Sequence, residues 1–352
     1  MPKIAFEKTV KRARILNPLK GFQEDTITFE YRIDPLTGRN TTIIRGMLNY
    51  VSKFLVSDEQ LLGSLIEKTR ANCPFCPESV RDRTPMFLPD FIKEGRIFVN
   101  DAIVIPNLFG HAERSVLVVL SRKHHLRLNE FMPKLIFDGF KGGAAYLRRL
   151  GEVEPGIRFP TFVFNCLPSA GSSIVHPHMQ VLVRDRPFYL VGLLLEKSEA
   201  YRERYKSSYW SDLVLQEKNG SRYLFEENGV EWLVPFAPLR GLNEVLGVVR
   251  GRSNLLQLGD REWCGLADGL SRILRFYHGE GYVSFNAVLV SGPLDEDLGY
   301  FDVSLRVISR PGVQASGFTD SWAVPYLLWD GEAVEEPEVF AERVRKFVGG
   351  IG

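Results

Sequence analysis

Residues 162–183 read FVFNCLPSAGSSIVHPHMQVLV, and this stretch decides how the rest of the chain is interpreted. Two apolar runs flank a bend rich in glycine and serine, a pattern typical of two β-strands joined by a loop. Because side chains alternate along a strand, His176, His178 and Gln180 would share one face. Pro177 cannot donate to a ladder, so we expect an edge strand or the start of a strand there.

The bend and the polar face together predict a site for a phosphoryl group. Backbone N–H groups around Gly171 could point at anionic oxygens, and Ser172, Ser173 and Gln180 could add neutral donors. In a chain with six histidines, a His-x-His pair alone is more often a coincidence. The adjoining bend and glutamine favour the functional interpretation.

Length and composition limit the class of protein. The chain has 352 residues, 45% of them hydrophobic, which suits one large or two medium domains. The net charge of +1 gives no field that would favour nucleic acid. No apolar run reaches the roughly 18 residues of a membrane span, and the N-terminus lacks the apolar core of a signal peptide. We therefore expect a soluble cytoplasmic protein with no nucleic-acid partner and no membrane association.

The cysteines indicate a metal site. Cys73 and Cys76 form a CxxC pair, which supplies half of a tetrahedral zinc site. No second CxxC exists, so histidines would have to complete the site. The candidates are His111, His124, His125, His176 and His178.

Apolar spacing predicts the main helices and strands. Helices are expected over 51–70, 130–150, 193–204 and 260–280. A strand over 96–105 is interrupted by Asn100 and Asp101, which are poor strand formers and indicate a turn or a site. The second half repeats the first weakly, without the two histidines, and Asp302 and Ser304 stand near the corresponding positions.

Asn165, then Gly171-Ser172-Ser173, then His176-Pro177-His178-x-Gln180, resembles the active-site signature of galactose-1-phosphate uridylyltransferases. That family is the transferase branch of the histidine-triad superfamily, whose hydrolase branches carry a third histidine where this chain has Gln180. The resemblance spans about residues 28–345. It implies an α+β fold of two related histidine-triad-like halves, each an antiparallel sheet with helices packed on one side.

The resemblance also implies domain and site assignments. We place a half with the zinc knuckle and HPHxQ at 1–190, and a half without the catalytic histidines at 191–352. The catalytic residues would be His178, the nucleophile, and Gln180. The expected substrate-binding residues are Asn100, Asp101, Asn165, Gly171, Ser172, Ser173, Gln180, Arg45 and Glu332. One structural Zn²⁺ per chain would be held by Cys73, Cys76, His124 and His176.

Two of these positions depart from the family pattern. Arg45 is the nearest candidate for an arginine that reaches the nucleotide phosphate of the other subunit in relatives. Glu332 falls near a glutamine that contacts the hexose in relatives. Relatives can also hold a second metal through a His-x-His pair in the second half. This chain has no such pair there, so we expect no second metal of that kind.

The implied activity belongs to galactose metabolism. UMP would pass between UDP-glucose and a hexose 1-phosphate, galactose 1-phosphate, by a ping-pong mechanism through a covalent uridylyl-histidine. Relatives are homodimers, and a homodimer is expected here. Two alternatives stay open: a phosphorylase acting on an ADP-sugar or a diadenosine polyphosphate with the same histidine, and a zinc-stabilised nucleotide-binding protein without catalysis.

Overall fold

A computed structural model describes residues 3–240 and 243–350. The strands are β1 Lys8–Asn17, β2 Gln23–Ile33, β3 Asn40–Ile44, β4 Ile97–Val99, β5 Ala102–Pro106, β6 Arg114–Val119, β7 Phe159–Cys166, β8 His178–Arg184, β9 Tyr223–Glu227, β10 Val230–Leu233, β11 Val245–Val249, β12 Ser284–Val290, β13 Val303–Arg310 and β14 Gly331–Ala333. The α-helices are α1 Met47–Val51, α2 Glu59–Arg70, α3 Pro133–Val153, α4 Tyr189–Tyr205, α5 Tyr209–Lys218, α6 Asp260–Gly279 and α7 Pro337–Gly349.

The large sheet contains ten strands in the order β4-β5-β6-β8-β7-β12-β13-β11-β10-β9. Outward from β7 the order is β8, β6, β5, β4, and outward from β12 it is β13, β11, β10, β9. The second half therefore repeats the first, and the two join where β7 pairs antiparallel with β12. The α+β fold with two related halves is confirmed. The domain boundary at residues 190 and 191 stays a prediction.

The two faces of the large sheet are covered differently. Helices α3 and α6 pack together on one face, over a core that includes Phe140, Phe162 and Trp263. Helices α4 and α5 lie on the opposite face of the second half. On the opposite face of the first half, Cys73 and Phe75 join a small apolar cluster with strand residues. On this face, between the two covers, the side chains of Val163, Asn165, Gln180, Asn286 and Val288 are half-buried, and we call this partly exposed strip the trough.

Glycines allow α3 and α6 to approach the sheet closely. A Cβ atom at Gly143 of α3 would overlap the ring of Phe162, and one at Gly269 of α6 would overlap the indole of Trp232. Both helices use glycine at the sheet contact, which is a further likeness between the two halves. A larger side chain at either position would push the helix away from the core.

A second, four-stranded sheet has the order β1-β2-β3-β14, with β14 parallel to β3. Arg32 of β2 is 1% exposed and pairs with Glu30 at 2.6 Å and with Glu338 of α7 at 2.7 Å. Buried charges are tolerated when they are paired in this way. The pairs connect the small sheet to the C-terminal helix.

Most sequence-based elements are confirmed, with corrected bounds. The helix expected over 51–70 begins only at Glu59, because Asp58 caps it by accepting from the N–H groups of Gln60 and Leu61. The chain turns at Asn100 and Asp101, between β4 and β5, as expected. Among the described residues, no helix is both long and apolar enough to cross a bilayer.

Asp302, immediately before β13, gives a testable pH dependence. It is 4% exposed, accepts from the Gly251 N–H at 3.2 Å through Oδ1, and its Oδ2 has no partner among the described residues. Burial raises its pKa to about 7. Because this folded-state pKa lies above the unfolded value, the folded state binds the proton more tightly, and stability falls as pH rises from about 4 to about 7.

We expect Asp302→Asn to abolish this loss, since an amide stays neutral and still accepts from Gly251. The variant should exceed the wild type by roughly 2 to 4 kcal/mol at pH 8 and match it near pH 4. Urea unfolding at the two pH values measures the difference. An equal difference at both pH values would contradict the assignment.

Candidate active site and metal centre

Four buried side chains converge beside the start of β8. They are Cys73, Cys76, His124 and His176, and one potential ligand atom of each lies within 4.8 Å of the others. Nδ1 of His176 lies 3.6 Å from Sγ of Cys73 and 3.7 Å from Sγ of Cys76, and Nδ1 of His124 lies 3.5 Å from Sγ of Cys76. The sequence distributes these residues over three segments, and the fold brings them together.

The outer nitrogen of each histidine is already bonded, which fixes its tautomer. His176 Nε2 lies 2.7 Å from the Ser121 carbonyl, which can only accept, so Nε2 carries the proton. His124 Nε2 lies 3.0 Å from Oγ1 of Thr69, whose own hydroxyl donates to the Leu65 carbonyl at 2.8 Å. Both Nδ1 atoms are therefore left unprotonated and face the two thiols. Outer partners of this kind orient metal-binding histidines.

The four donors fit a metal ion. Tetrahedral Zn–S and Zn–N bonds place sulfur and nitrogen ligands about 3.6 Å apart, as here. Burial lowers the pKa of His176 to about 4, so its imidazole is neutral. Burial and the neighbouring Cys73 raise the pKa of Cys76 to about 12, an environment that a divalent cation would reverse. Four protein donors would complete a tetrahedron and leave no open coordination position.

His178 lies two residues beyond this cluster, on the same face of the chain. Its Nδ1 lies 2.8 Å from the His176 carbonyl, so Nδ1 carries the proton and Nε2 holds the free lone pair. The side chain is 7% exposed, and the ring of Phe75 lies 5.3 Å away, edge to face. Nε2 has no partner among the described residues, yet it is not among the fully buried atoms, so solvent reaches it.

Burial also fixes the charge of His178. It lowers the pKa of the ring, against a smaller opposing effect of the hydrogen bond to the His176 carbonyl. A neutral imidazole with one nitrogen held by a carbonyl and the other open is prepared to act as a nucleophile or a base.

The strand that carries His178 is internal. β8 pairs with β6 on one side and with β7 on the other. Of the two possibilities that Pro177 left open, the edge strand is wrong and the strand start is right. Pro177 precedes β8, so its missing N–H interrupts no hydrogen bond of that strand. Its carbonyl accepts from the Leu120 N–H at 3.0 Å.

The glycine-serine bend offers fewer donors than the sequence suggested. The N–H groups of Gly171 and Ser172 are bonded within the turn, to the carbonyls of Pro168 and Leu167. Gly171 takes a left-handed conformation with φ of +83°. Ser172 is buried and donates its hydroxyl to the Ile174 carbonyl at 2.7 Å. Ser173 is exposed, and its N–H and hydroxyl have no partner among the described residues.

The strands beside His178 add two further predicted residues. Gln180 is half-buried on β8, opposite Val163 of β7. Asn165 follows Phe164, the residue that pairs with Met179, and is therefore next to His178 across the strands. The fold thus brings His178, Gln180 and Asn165 together at the floor of the trough.

Asn100 and Asp101 lie at the β4–β5 turn and are exposed. Asn100 has a left-handed conformation with φ of +52°, and its amide donates to Asp138 of α3 at 3.0 Å. Its side chain is therefore engaged with the helix. Asp101 has no such restraint, and the role of both residues stays a prediction.

Arg45 directly follows β3 and Glu332 lies on β14, so both belong to the small sheet, whereas His178 lies on the large sheet. Arg45 pairs with Glu30 and with Glu336, each at 2.9 Å. Glu332 lines a cavity of about 410 Å³ together with Tyr50, Phe318, Asp320 and Trp322. Burial raises the pKa of Glu332, and a hydrogen bond from Trp322 opposes the shift.

Some site contacts were not identified from the sequence. Thr69 and Ser121 hold the outer nitrogens of the two metal-site histidines. Asn286 and Arg310 reach the site from the second half. One sequence feature pointed to Asn286, because residues 282–286 resemble residues 161–165, which end at Asn165. This similarity alone gave no reason to assign Asn286 a role.

Comparison with known proteins agrees on the fold. No family model matches the chain. A protein of Archaeoglobus fulgidus described as uncharacterized is 28% identical over 343 residues, which covers 97% of this chain and 98% of that protein. Similarity to that protein therefore extends over nearly the whole length of both.

Solved structures superpose over most of the chain. A GalT-like protein from Arabidopsis thaliana gives a TM-score of 0.67 at 18% identity, covering 90% of this chain and 98% of its own. An ADP-glucose phosphorylase from Arabidopsis thaliana, with bound ADP-glucose, gives 0.68 at 17%, with coverage of 90% and 98%. A uridylyltransferase gives 0.66 at 20%, with coverage of 91% and 99%. The structural neighbours are therefore GalT-like proteins, and at these identities the likeness concerns the fold.

Proposed function

We propose that the protein is a nucleotidyltransferase that moves UMP between UDP-glucose and a hexose 1-phosphate, galactose 1-phosphate in the first instance, through a covalent intermediate on His178. One observation carries the proposal. The His176 carbonyl accepts from Nδ1 of His178 at 2.8 Å and leaves Nε2 open to solvent, and His176 itself belongs to the four-residue group that could hold a metal ion. An imidazole that used its lone pair on a metal could not attack phosphorus, which favours His178 over His176.

In the first half-reaction, Nε2 of His178 attacks the α-phosphorus of UDP-glucose. The P–N bond forms, the bond to the bridging oxygen breaks, and its electron pair leaves with glucose 1-phosphate. The Nδ1 proton stays on the ring, and the His176 carbonyl stabilises the positive charge that develops there. In the second half-reaction, a phosphate oxygen of the hexose 1-phosphate attacks the same phosphorus, and the P–N electron pair returns to Nε2.

Neutral donors around His178 would hold the non-bridging oxygens. Gln180 and Asn165 lie on the adjacent strand positions, and Ser173, in the bend before β8, has an N–H and a hydroxyl without a partner among the described residues. Fixed donors accelerate the reaction when they fit the transition state better than the ground state. The amide of Gln180 can hold an oxygen without activating water, which favours transfer over hydrolysis.

We assign Zn²⁺ to the four-ligand cluster as a structural ion. Two cysteines and two histidines are a donor set that Zn²⁺ prefers, and their spacing supports it. When bound, the ion would fix His176 and with it the carbonyl that holds His178. It would supply rigidity to the start of β8 and no open coordination position for substrate.

The cavity at Glu332 is our candidate for the sugar. Its aromatic lining suits the apolar face of a hexose, and the Glu332 and Asp320 carboxylates could accept from sugar hydroxyls. This cavity belongs to the small-sheet side of the chain.

A homodimer is supported by exposed apolar residues next to this cavity, with Leu327 77% and Leu328 70% exposed.

A phosphorylase that uses the same histidine is the second candidate. The ADP-glucose phosphorylase from Arabidopsis thaliana superposes as well as the uridylyltransferase does, with TM-scores of 0.68 and 0.66. The first half-reaction would be the same with ADP-glucose, and inorganic phosphate would then accept the AMP group.

The experiment that tests the proposal compares two substrate pairs on the full chain. The protein is incubated with UDP-glucose and galactose 1-phosphate, or with ADP-glucose and inorganic phosphate, and intact mass and products are measured. We expect a mass increase of one UMP group and formation of UDP-galactose. An AMP adduct with phosphorolysis would favour the second candidate. No adduct with either pair would overturn covalent catalysis and leave nucleotide binding.

A further inference from the structure

The join between the two halves contains a chain of side-chain hydrogen bonds that leads to Asn165. Asn286 of β12 lies opposite Asn165 of β7 in the sheet register. Nδ2 of Asn286 donates to Oδ1 of Asn165 at 2.6 Å and to the Ala170 carbonyl at 2.9 Å. Nη1 of Arg310 donates to Oδ1 of Asn286. A cation of the second half is thus connected to the residue beside His178.

The chemistry of arginine fixes the direction of every bond in this chain. A guanidinium has five donors and no acceptor, so Asn286 must turn its oxygen to Arg310. Its Nδ2 therefore faces Asn165, which must accept this hydrogen bond through its own Oδ1. The Nδ2 group of Asn165, with two N–H donors, is left without a partner among the described residues, and it is not fully buried. It is presented to the trough that His178 shares.

Arg310 is itself firmly held. Its Nε and Nη2 donate to the Asp320 carboxylate, at 3.0 to 3.1 Å and at 2.5 Å, and Nη2 also donates to Oγ of Ser321 at 3.1 Å. Its side chain is only 12% exposed. With these atoms engaged, Nη1 is the donor left for Asn286. The guanidinium therefore cannot turn away without breaking an ion pair.

We propose that Arg310, acting through Asn286, is a positioning residue that fixes the Asn165 amide with its N–H donors toward the phosphoryl oxygens at His178. The inference rests on the proposed function for its ligand, an anionic phosphoryl group. The bonds also polarise one another, because each donor in a chain makes the next group a better donor. The half without histidines then contributes to the reaction by orienting a donor of the other half.

Asn286→Asp is the decisive variant, since it changes one atom and keeps the shape. An aspartate accepts from Arg310 but cannot donate, so Asn165 must turn its N–H group to it and show its oxygen to the phosphate. We expect the single-turnover rate of nucleotidyl transfer to His178 to fall about 10- to 100-fold, in a variant that still unfolds cooperatively but melts at a lower temperature because the bond to the Ala170 carbonyl is lost. An unchanged rate would overturn the proposal.

The double variant Asn165→Ala/Asn286→Asp separates positioning from a direct charge effect. If Asn286 acts through Asn165, the aspartate has no further effect once Asn165 is removed. A loss of the same size in both backgrounds would mean that the new charge repels the substrate directly. Arg310→Lys, which also has only donors, should keep most of the rate. Arg310→Gln, which also offers an acceptor oxygen, should lower the rate of nucleotidyl transfer. This variant replaces Asn286→Asp as the test if that protein does not fold.

Failure of the proposed function is distinguishable from failure of this inference. If the wild type forms no adduct with UDP-glucose or ADP-glucose, the proposed function fails. The inference is then tested by calorimetric binding of UDP and ADP, where Asn286→Asp should weaken affinity only while Asn165 is present. Equal affinities of wild type and variant would overturn it.

Discussion

Replacing His178 by asparagine should eliminate the covalent adduct and lower the exchange rate by at least about 10⁴-fold, as removal of a nucleophile does in other covalent enzymes. Asparagine keeps a donor near the position of Nδ1 and can still bond to the His176 carbonyl. It has no nitrogen lone pair that could attack phosphorus. The loss would therefore fall on the chemical step, and affinity for the nucleotide should change little.

Intact mass after exposure to UDP-glucose and single-turnover kinetics measure the effect. The matched control is His111→Asn, because His111 is exposed on the β5–β6 loop and lies outside the site. The control should form the adduct at the wild-type rate. An adduct that persists in His178→Asn, or that maps by peptide analysis to another residue, would contradict the assignment of His178.

Removal of the metal should produce the second large effect, on stability. For the purified wild-type protein we expect one zinc ion per chain. We expect Cys76→Ser to lose the ion and lower the free energy of unfolding by roughly 5 to 10 kcal/mol. The reason is that, without the ion, the four buried side chains of the cluster would have only one another as hydrogen-bond partners. For a chain of 352 residues this corresponds to about 10 °C in melting temperature.

Metal analysis and thermal melts, with and without a chelator, measure this effect. Cys264→Ser is the matched control, since Cys264 is half-exposed on α6 and lies outside the cluster. Nucleotidyl transfer should fall together with stability in Cys76→Ser, because the His176 carbonyl positions His178. Metal-free wild-type protein with unchanged melting would rule out a structural ion.

Local pattern predicted the elements well where the chain itself sets the conformation. The helix expected over 130–150 is present as α3 Pro133–Val153, because its apolar period needs only a surface to pack on. The interruption at Asn100 and Asp101 is a turn for the same local reason. The late start of α2 at Glu59 follows from the Asp58 cap, a signal that the helical period alone does not carry.

The candidate site was predictable in its residue types and less so in its contacts. The tight spacing of Cys73 with Cys76, and of His176 with His178, marked the cluster and its neighbour from the sequence. The sequence suggested more free N–H donors in the bend than the structure has, because the N–H groups of Gly171 and Ser172 are bonded inside the turn. That outcome depends on the backbone conformation around the loop, which composition does not specify.

The sequence by itself determined which groups are available: two thiols, paired histidines, and amides in place of a third histidine. The tertiary structure decided which of them meet and which atom of each faces the site. Asn165 and Asn286 are 121 positions apart and touch only because two strands pair at the join of the halves. Local propensity carries no information on such pairing, since contacts of high sequence separation form only when the whole sheet closes.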